Sequence, residues 1–88
     1  MFFSVVIPLY NKERHIVRTI NSVLSQSFMP FEIIIVDDGS TDSSLNAISE
    51  FKSVDRVKII SQRNLGVSAA RNRGVDESVG KYVVFLDA

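Results

Sequence analysis

The 88-residue sequence has no cysteine and a single histidine, His15. The first absence excludes a disulfide framework and any thiolate metal site, and the second excludes a histidine-rich zinc cluster. A reducing, cytoplasmic interior suits such a chain. Neither sign of charge is in excess: ten Lys and Arg balance ten Asp and Glu, for a net charge of +0. Nothing therefore draws the chain to a nucleic-acid backbone or an anionic membrane surface, and no nucleic-acid partner is expected. The apolar start, residues 1–9, has no basic leading region and is broken by Ser4 and Pro8, so it reads as a strand and not as a signal peptide or transmembrane segment. Tight hairpin signals, linkers, low-complexity runs and close repeats are absent too. What is present, 45% hydrophobic residues, suits one domain over residues 1–88, which would bury roughly two-thirds of its unfolded surface.

The most informative stretch is EIIIVDDGSTD, Glu32 to Asp42. Four apolar β-formers run into two carboxylates, a glycine and short polar side chains, as a buried parallel strand does when it ends in a ligand-binding turn.

The other segments repeat that plan. Phe2 to Ile7 reads as a strand stopped by Pro8, which lacks an N–H for the ladder. Ile16, Ile20, Val23, Leu24 and Ser27 then share one helix face, predicting an amphipathic helix over residues 12–26 that ends at Phe28-Met29-Pro30. His15 on it is expected to be exposed or capping. Glu32 to Val36 is the second strand. A second helix is expected to start near Thr41 or Asp42, either of which could cap it, with Leu45, Ile48 and Phe51 inward. Val57 to Ser61 is the third strand, and residues 67–78 the third helix, with Ala70, Gly74 and Val75 inward and Gly80 as its C′ residue. Tyr82 to Leu86 is the fourth strand. The fold class is therefore α/β, a three-layer Rossmann-like parallel sheet covered on both faces, with strand order 3-2-1-4.

In a parallel sheet the residues that follow the strands converge on one edge, and ligands bind where strand order reverses. Here that set is Pro8, Tyr10 and Asn11; Asp37, Asp38, Gly39 and Ser40; Gln62, Arg63 and Asn64; and Asp87. It suits a nucleotide. A carboxylate can accept from a base N–H or a ribose hydroxyl, Tyr10 offers an aromatic face, Gly39 can adopt positive φ, and Arg71 or Arg73 could reach a phosphate. Carboxylates without thiolate or imidazole favour Mg²⁺ or Mn²⁺ over zinc. Singly, each feature has an ordinary reading as turn, cap, packing residue or solvated side chain. Their convergence on one edge is the argument for a site.

SVVIPLYNKE, SVLSQSF, EIIIVDDGSTD, NLGVSAARNRG and GKYVVFLDA, in this order and spacing, resemble the successive blocks of family 2 glycosyltransferases with the GT-A fold. The resemblance covers essentially the whole chain and implies the N-terminal, donor-binding half of an enzyme that transfers sugar from a nucleotide diphosphate sugar, a UDP-sugar in the first instance, with inversion. It implies that Pro8, Tyr10 and Asn11 line the nucleotide, with Asn64 at the same edge, that Asp38 accepts from the base, that Asp37 supports the Gly39 turn, and that Arg71 and Asn72 flank the diphosphate. Asp87 corresponds to the first aspartate of the family's metal-binding Asp-x-Asp motif, for Mn²⁺ or Mg²⁺. The second would be residue 89.

On that reading the chain is incomplete at its C-terminus, carries no catalytic residue of its own and is inactive alone. The acceptor, a glycan or lipid-linked sugar, would meet the remainder, which could also bring the protein to the inner face of a membrane. The strand Tyr82 to Leu86 would lack its later neighbours, so a homodimer through that edge is expected. The alternative is a non-catalytic nucleotide-binding or interaction module. A receiver-like domain would give the PLYN and ARN segments no role.

Overall fold

The computed structural model describes residues 2–26 and 30–87. Its elements are β1 (Phe3–Leu9), α1 (Ile16–Leu24), β2 (Phe31–Asp38), α2 (Ser44–Ala47), a 3₁₀ turn (Ser49–Ser53), β3 (Val57–Gln62), α3 (Val67–Glu77) and β4 (Tyr82–Phe85). The four strands are all parallel, in the order β3-β2-β1-β4 that the sequence predicts.

β2 carries the core because the Ile33–Val36 run is apolar on both faces, and all eight residues of the strand are buried. Alternation along the strands sorts the core into two layers. Ile7, Leu9, Ile33 and Ile35 meet Ile16 and Ile20 of α1 and Ile48 and Phe51 on one side. Val6, Ile34 and Val36 meet Ala70 of α3 on the other. Each fully buried isoleucine or valine contributes about 1.5–3 kcal/mol. Gly74 lets α3 lie close to the sheet, since a Cβ there would collide with the Val6 side chain.

Several boundaries differ from the sequence reading. β1 does not stop at Ile7 but runs through Pro8 to Leu9. α1 starts at Ile16 and not at Lys12, because residues 11–15 form a turn capped from outside: Lys12 N–H donates to Ser44 Oγ at 2.8 Å and Glu13 N–H to Asp42 Oδ2 at 3.3 Å. Ser27, Phe28 and Met29, expected at the end of that helix, lie outside the described residues. The second helix is one short α turn followed by a 3₁₀ turn; Ser43, not Thr41 or Asp42, holds its N-cap position. Ile48 and Phe51 are buried there as expected, whereas Leu45 is exposed, as is Val75 on α3. Gly80 is not a C′ residue: α3 ends at Ser78 in extended conformation. The expectation of a sheet covered on both faces holds for β1 and β2, and β3 packs into both layers through Val57, Ile59 and Ile60. α3 stands over β1 and β2 and the 3₁₀ turn packs on β3, leaving Tyr82, Val84 and Phe85 of β4 exposed.

One carboxylate is inside. Glu32 on β2 is 6% exposed, and its Oε2 accepts from Ser4 Oγ at 2.6 Å and from Val79 N–H at 2.8 Å. Half-exposed Lys58 places Nζ 3.3 Å from Oε1. Burial pushes the Glu32 carboxyl up, but the Ser4, Val79 and Lys58 donors outweigh it and hold the group below its ordinary 4.5. A carboxylate with a lower pKa folded than unfolded adds stability above its unfolded value, and the addition disappears as pH falls through the folded value. The urea midpoint should therefore hold from neutrality down to about pH 5 and then decline with acid. Glu32→Gln, less stable at neutral pH, should show a shallower decline; an equally steep one would locate the acid sensitivity elsewhere.

Candidate functional site

The site begins with a missing N–H. Along β1, Phe3 N–H points to the β2 side, donating to the Pro30 carbonyl, whereas Val6 C=O faces β4 and accepts from Leu86 N–H at 3.0 Å. By the same alternation the nitrogen of residue 8 faces β4, and Pro8 has no hydrogen to give. β1 stays paired with β2 as far as Leu9↔Asp37, while its register with β4 ends at Val6↔Phe85. The two strands part there, at the reversal of strand order, and a cavity of about 490 Å³ opens between the strand ends and the start of α3.

Pro8, Tyr10, Asp38, Asn64 and Asp87, all singled out from sequence, line this cavity. Leu9, Lys12, Gly66, Val67 and Ala70 line it too, and the sequence reading missed them. Lys12 falls at the start of the helix expected over residues 12–26, which in fact begins four residues later. From sequence Gly66 is the end of a loop and Val67 the start of a helix; their nearness to Asp38 depends on how β3 and α3 are joined.

Asp38 is buried, and its carboxylate organises the β3–α3 loop. Oδ1 accepts from Gln62 Nε2 at 2.9 Å and Leu65 N–H at 2.8 Å, and Oδ2 from Gly66 N–H at 3.0 Å. Asn64 Nδ2 donates to the Asp38 carbonyl at 3.2 Å. Burial pushes this carboxyl up, and the Leu65, Gln62 and Gly66 donors more than offset that, holding it below 3.8 and ionised at neutral pH. A carboxylate accepts about four hydrogen bonds. Three are taken by the protein, leaving one place on Oδ2.

Asp37 points to the opposite face of the sheet, where Ser40 Oγ donates to its Oδ1 at 2.5 Å. Asn11, expected at the nucleotide, is not part of the cavity lining. With φ 51°, it bolts the β1–α1 and β2–α2 loops together: its Oδ1 accepts from Thr41 N–H at 2.8 Å and Asp42 N–H at 3.2 Å, and its own N–H donates to Ser40 Oγ at 3.0 Å. Gly39, with φ 72°, sits where that loop touches the next; a Cβ would lie 2.6 Å from Asn64 N. Arg71 stands beside the cavity, 3.6 Å from the largely exposed Asp87 carboxylate and over the Phe85 ring. Arg73 pairs instead with Glu77 along the helix, Asn72 is exposed outside the lining, and His15 is exposed at the N-cap of α1 without a capping bond.

The glycosyl transferase family 2 model matches residues 4–88. The chain belongs to that family. Among relatives of this family 2 chain, the glycosyltransferase GlyA of Streptococcus pneumoniae is 41% identical over 97% of the chain, and the uncharacterized glycosyltransferase YibD of Escherichia coli is 42% identical over 97%. The chain spans only 12% and 25% of their lengths. A structure of TarS from S. aureus, 35% identical, superposes with TM-score 0.88 over 99% of this chain and 27% of TarS, and TarS has also been solved with UDP-GlcNAc. The mannosyltransferase PcManGT of Pyrobaculum calidifontis, solved with GDP-Man and Mn²⁺, reaches TM-score 0.88 over 97% of this chain and 26% of its own at 23% identity, and so shares the fold. The parallel sheet with its flanking helices thus matches part of the GT-A fold of these enzymes.

For the metal that family 2 enzymes generally use, the described residues do not suffice. No group of three or more His, Cys, Asp or Glu among them could hold an ion; Asp87 supplies one carboxylate, and Asp38 is engaged by the loop. No helix among them is long and apolar enough to cross a membrane.

Two substitutions probe the framework of this family 2 site. Asp38→Ala strands the Leu65 and Gly66 N–H groups and should lower unfolding free energy by about 2–4 kcal/mol. Gly39→Ala, with positive φ and no room, should cost about 2 kcal/mol or more. Urea unfolding measures both. A change under about 0.5 kcal/mol, the level of an ordinary surface substitution, would contradict the contacts described.

Proposed function

We propose that these residues form the nucleotide end of a donor site for a nucleotide diphosphate sugar, with UDP-sugars the first candidates, in a protein that transfers the sugar to an acceptor with inversion. The observation that carries the reading is the cavity at the parting of β1 and β4, which gathers an aromatic face, Tyr10, an ionised carboxylate with one free acceptor position, Asp38, and a terminal carboxylate, Asp87. The 35% identity to TarS, which has been solved with UDP and UDP-GlcNAc, supports the nucleotide class.

In this proposal the base stacks on Tyr10 and donates an N–H to Asp38 Oδ2, while Pro8 and Asn64 shape the walls. Arg71 leaves its exposed partner Asp87 to meet the diphosphate bidentately, a geometry that its guanidinium suits. Asp87 would supply one oxygen ligand to Mg²⁺ or Mn²⁺, whose charge would help neutralise the departing diphosphate. Transfer is a displacement at the anomeric carbon that expels the nucleoside diphosphate, and the acceptor hydroxyl, on a glycan or lipid-linked sugar, must lose its proton to a base. Neither carboxylate of the cavity is placed for that: Asp38 is spent on the β3–α3 loop and Asp87 faces Arg71. Residues 1–88 therefore act as a donor-binding unit that does not complete transfer by itself. Their β4, paired on one side only and apolar outside, joins a second copy at high concentration; light scattering that reports a strict monomer would refute that association.

Tyr10 is the informative residue to change, because it is 44% exposed and its loss need not unfold the chain, whereas Asp38→Ala alters the loop as well. Titration calorimetry with UDP should show binding, weakened about ten-fold by Tyr10→Ala through loss of stacking. Absence of binding at high millimolar UDP would eliminate the donor-site reading. Binding without sugar release by a longer chain would favour the non-catalytic nucleotide-binding module.

A further inference from the structure

Outside the crevice the most constrained polar cluster is the one around Glu32, at the opposite end of the sheet on the α3 face. Its partners are not spread at random. Glu32 Oε2 takes the Val79 N–H, Ser4 Oγ takes the Gly80 N–H at 2.8 Å while donating to Glu32, and Lys58 Nζ, beside Glu32, also donates to the Glu77 carbonyl at 3.3 Å. Three of the four residues from 77 to 80, the exit from α3 into β4, are thereby tied to β1, β2 and β3. Gly80 permits the approach, because a Cβ there would collide with Ser4 Oγ and lie 2.7 Å from Ser4 N.

β4 needs such a tie. It is four residues long and pairs with β1 alone. Its backbone ladder would form equally well one residue out of step, since every register offers N–H and C=O groups. A slip of one residue turns each side chain to the other face, and burial normally forbids that. Here the penalty is small: Tyr82, Val84 and Phe85 are 41%, 45% and 47% exposed, and only Val83 packs on a core cluster.

We infer that Ser4 and Glu32 set the register of β4 on β1 and thereby place Asp87 at the crevice, so that Glu32 is a positioning residue for a site at the far end of the sheet. The two groups fix residues 79 and 80, the strand carries that setting through Ser4↔Val83 and Val6↔Phe85, and Asp87 follows two residues after β4 ends. Backbone hydrogen bonds, Val83 packing and the Tyr82–Phe3 ring contact hold the strand; the polar pair selects its register.

Amide exchange and nuclear Overhauser contacts test this without nucleotide or metal, so the result is independent of the donor-site reading. In Ser4→Ala and in Glu32→Gln, exchange at Lys81 and Leu86, whose N–H groups donate to Phe2 and Val6 carbonyls, should accelerate about ten-fold or more relative to Ile33 and Ile35 of β2. The contacts between Val6 and Phe85 should weaken in step. Ser4→Ala, the smaller change, decides the matter if Glu32→Gln does not fold. Equal acceleration across the whole sheet would reduce the pair to a contribution to global stability and overturn the inference. Unchanged β4 exchange with intact Val6–Phe85 contacts would overturn it as well.

Discussion

The crevice depends on a hydrogen bond that cannot form. β1 lies between β2 and β4, and as far as Val6 both neighbours hold it. At Pro8 the nitrogen that faces β4 carries no hydrogen, while the β2 side of the strand remains paired to Leu9. Had the ladder continued on both sides, the strand ends would lie together and Tyr10 and Asp87 would have no gap to face. Proline inside an inner strand is usually disruptive; here the disruption falls where the sheet has to open.

Around that opening most polar groups serve one another first. Asp37 and Asp38 point to opposite faces and hold different partners, the Ser40 hydroxyl on one side and the Gln62–Gly66 loop on the other. Asn11 joins the loops after β1 and β2. Networks of this kind are stable only when nearly every member is satisfied, and no buried side-chain nitrogen or oxygen among the described residues lacks a partner. The surface available to a ligand is what remains: the Tyr10 ring, one acceptor position on Asp38, Asp87, and an Arg71 whose present ion pair is too exposed to bind it firmly. A rigid frame with a few unspent groups is well suited to preorganised binding.

The strands and their order were legible because continuous β-branched runs in a chain without hairpin signals leave few topologies. Ile48, Phe51, Ala70 and Gly74 were legible as core by their spacing. Leu45 and Val75 fit the same periodicity yet are exposed, since a single helical turn and a helix of small residues bury less than a full amphipathic face. The start of α1 was misplaced for a different reason. The groups that cap residues 12 and 13 come from Asp42 and Ser44, about thirty residues away, and local signals describe only local caps. Lys12 was missed as a lining residue by the same error.

The sequence by itself determined a parallel α/β sheet, membership of glycosyl transferase family 2, and the edge at which Tyr10, Asp38, Asn64 and Asp87 collect. These follow from alternation, apolar runs and motif order, all of which are properties of neighbours along the chain. Tertiary structure alone decided that Asn11 braces while Tyr10 lines, that three of the four acceptor positions of Asp38 are occupied, that Gly80 meets Ser4, and that Glu32 is buried at the opposite end from the crevice. The physical reason is common to all four. Each depends on which donor from a distant segment reaches a given polar group, and a hydrogen bond across 24 to 76 residues exists only once the sheet has brought those segments together.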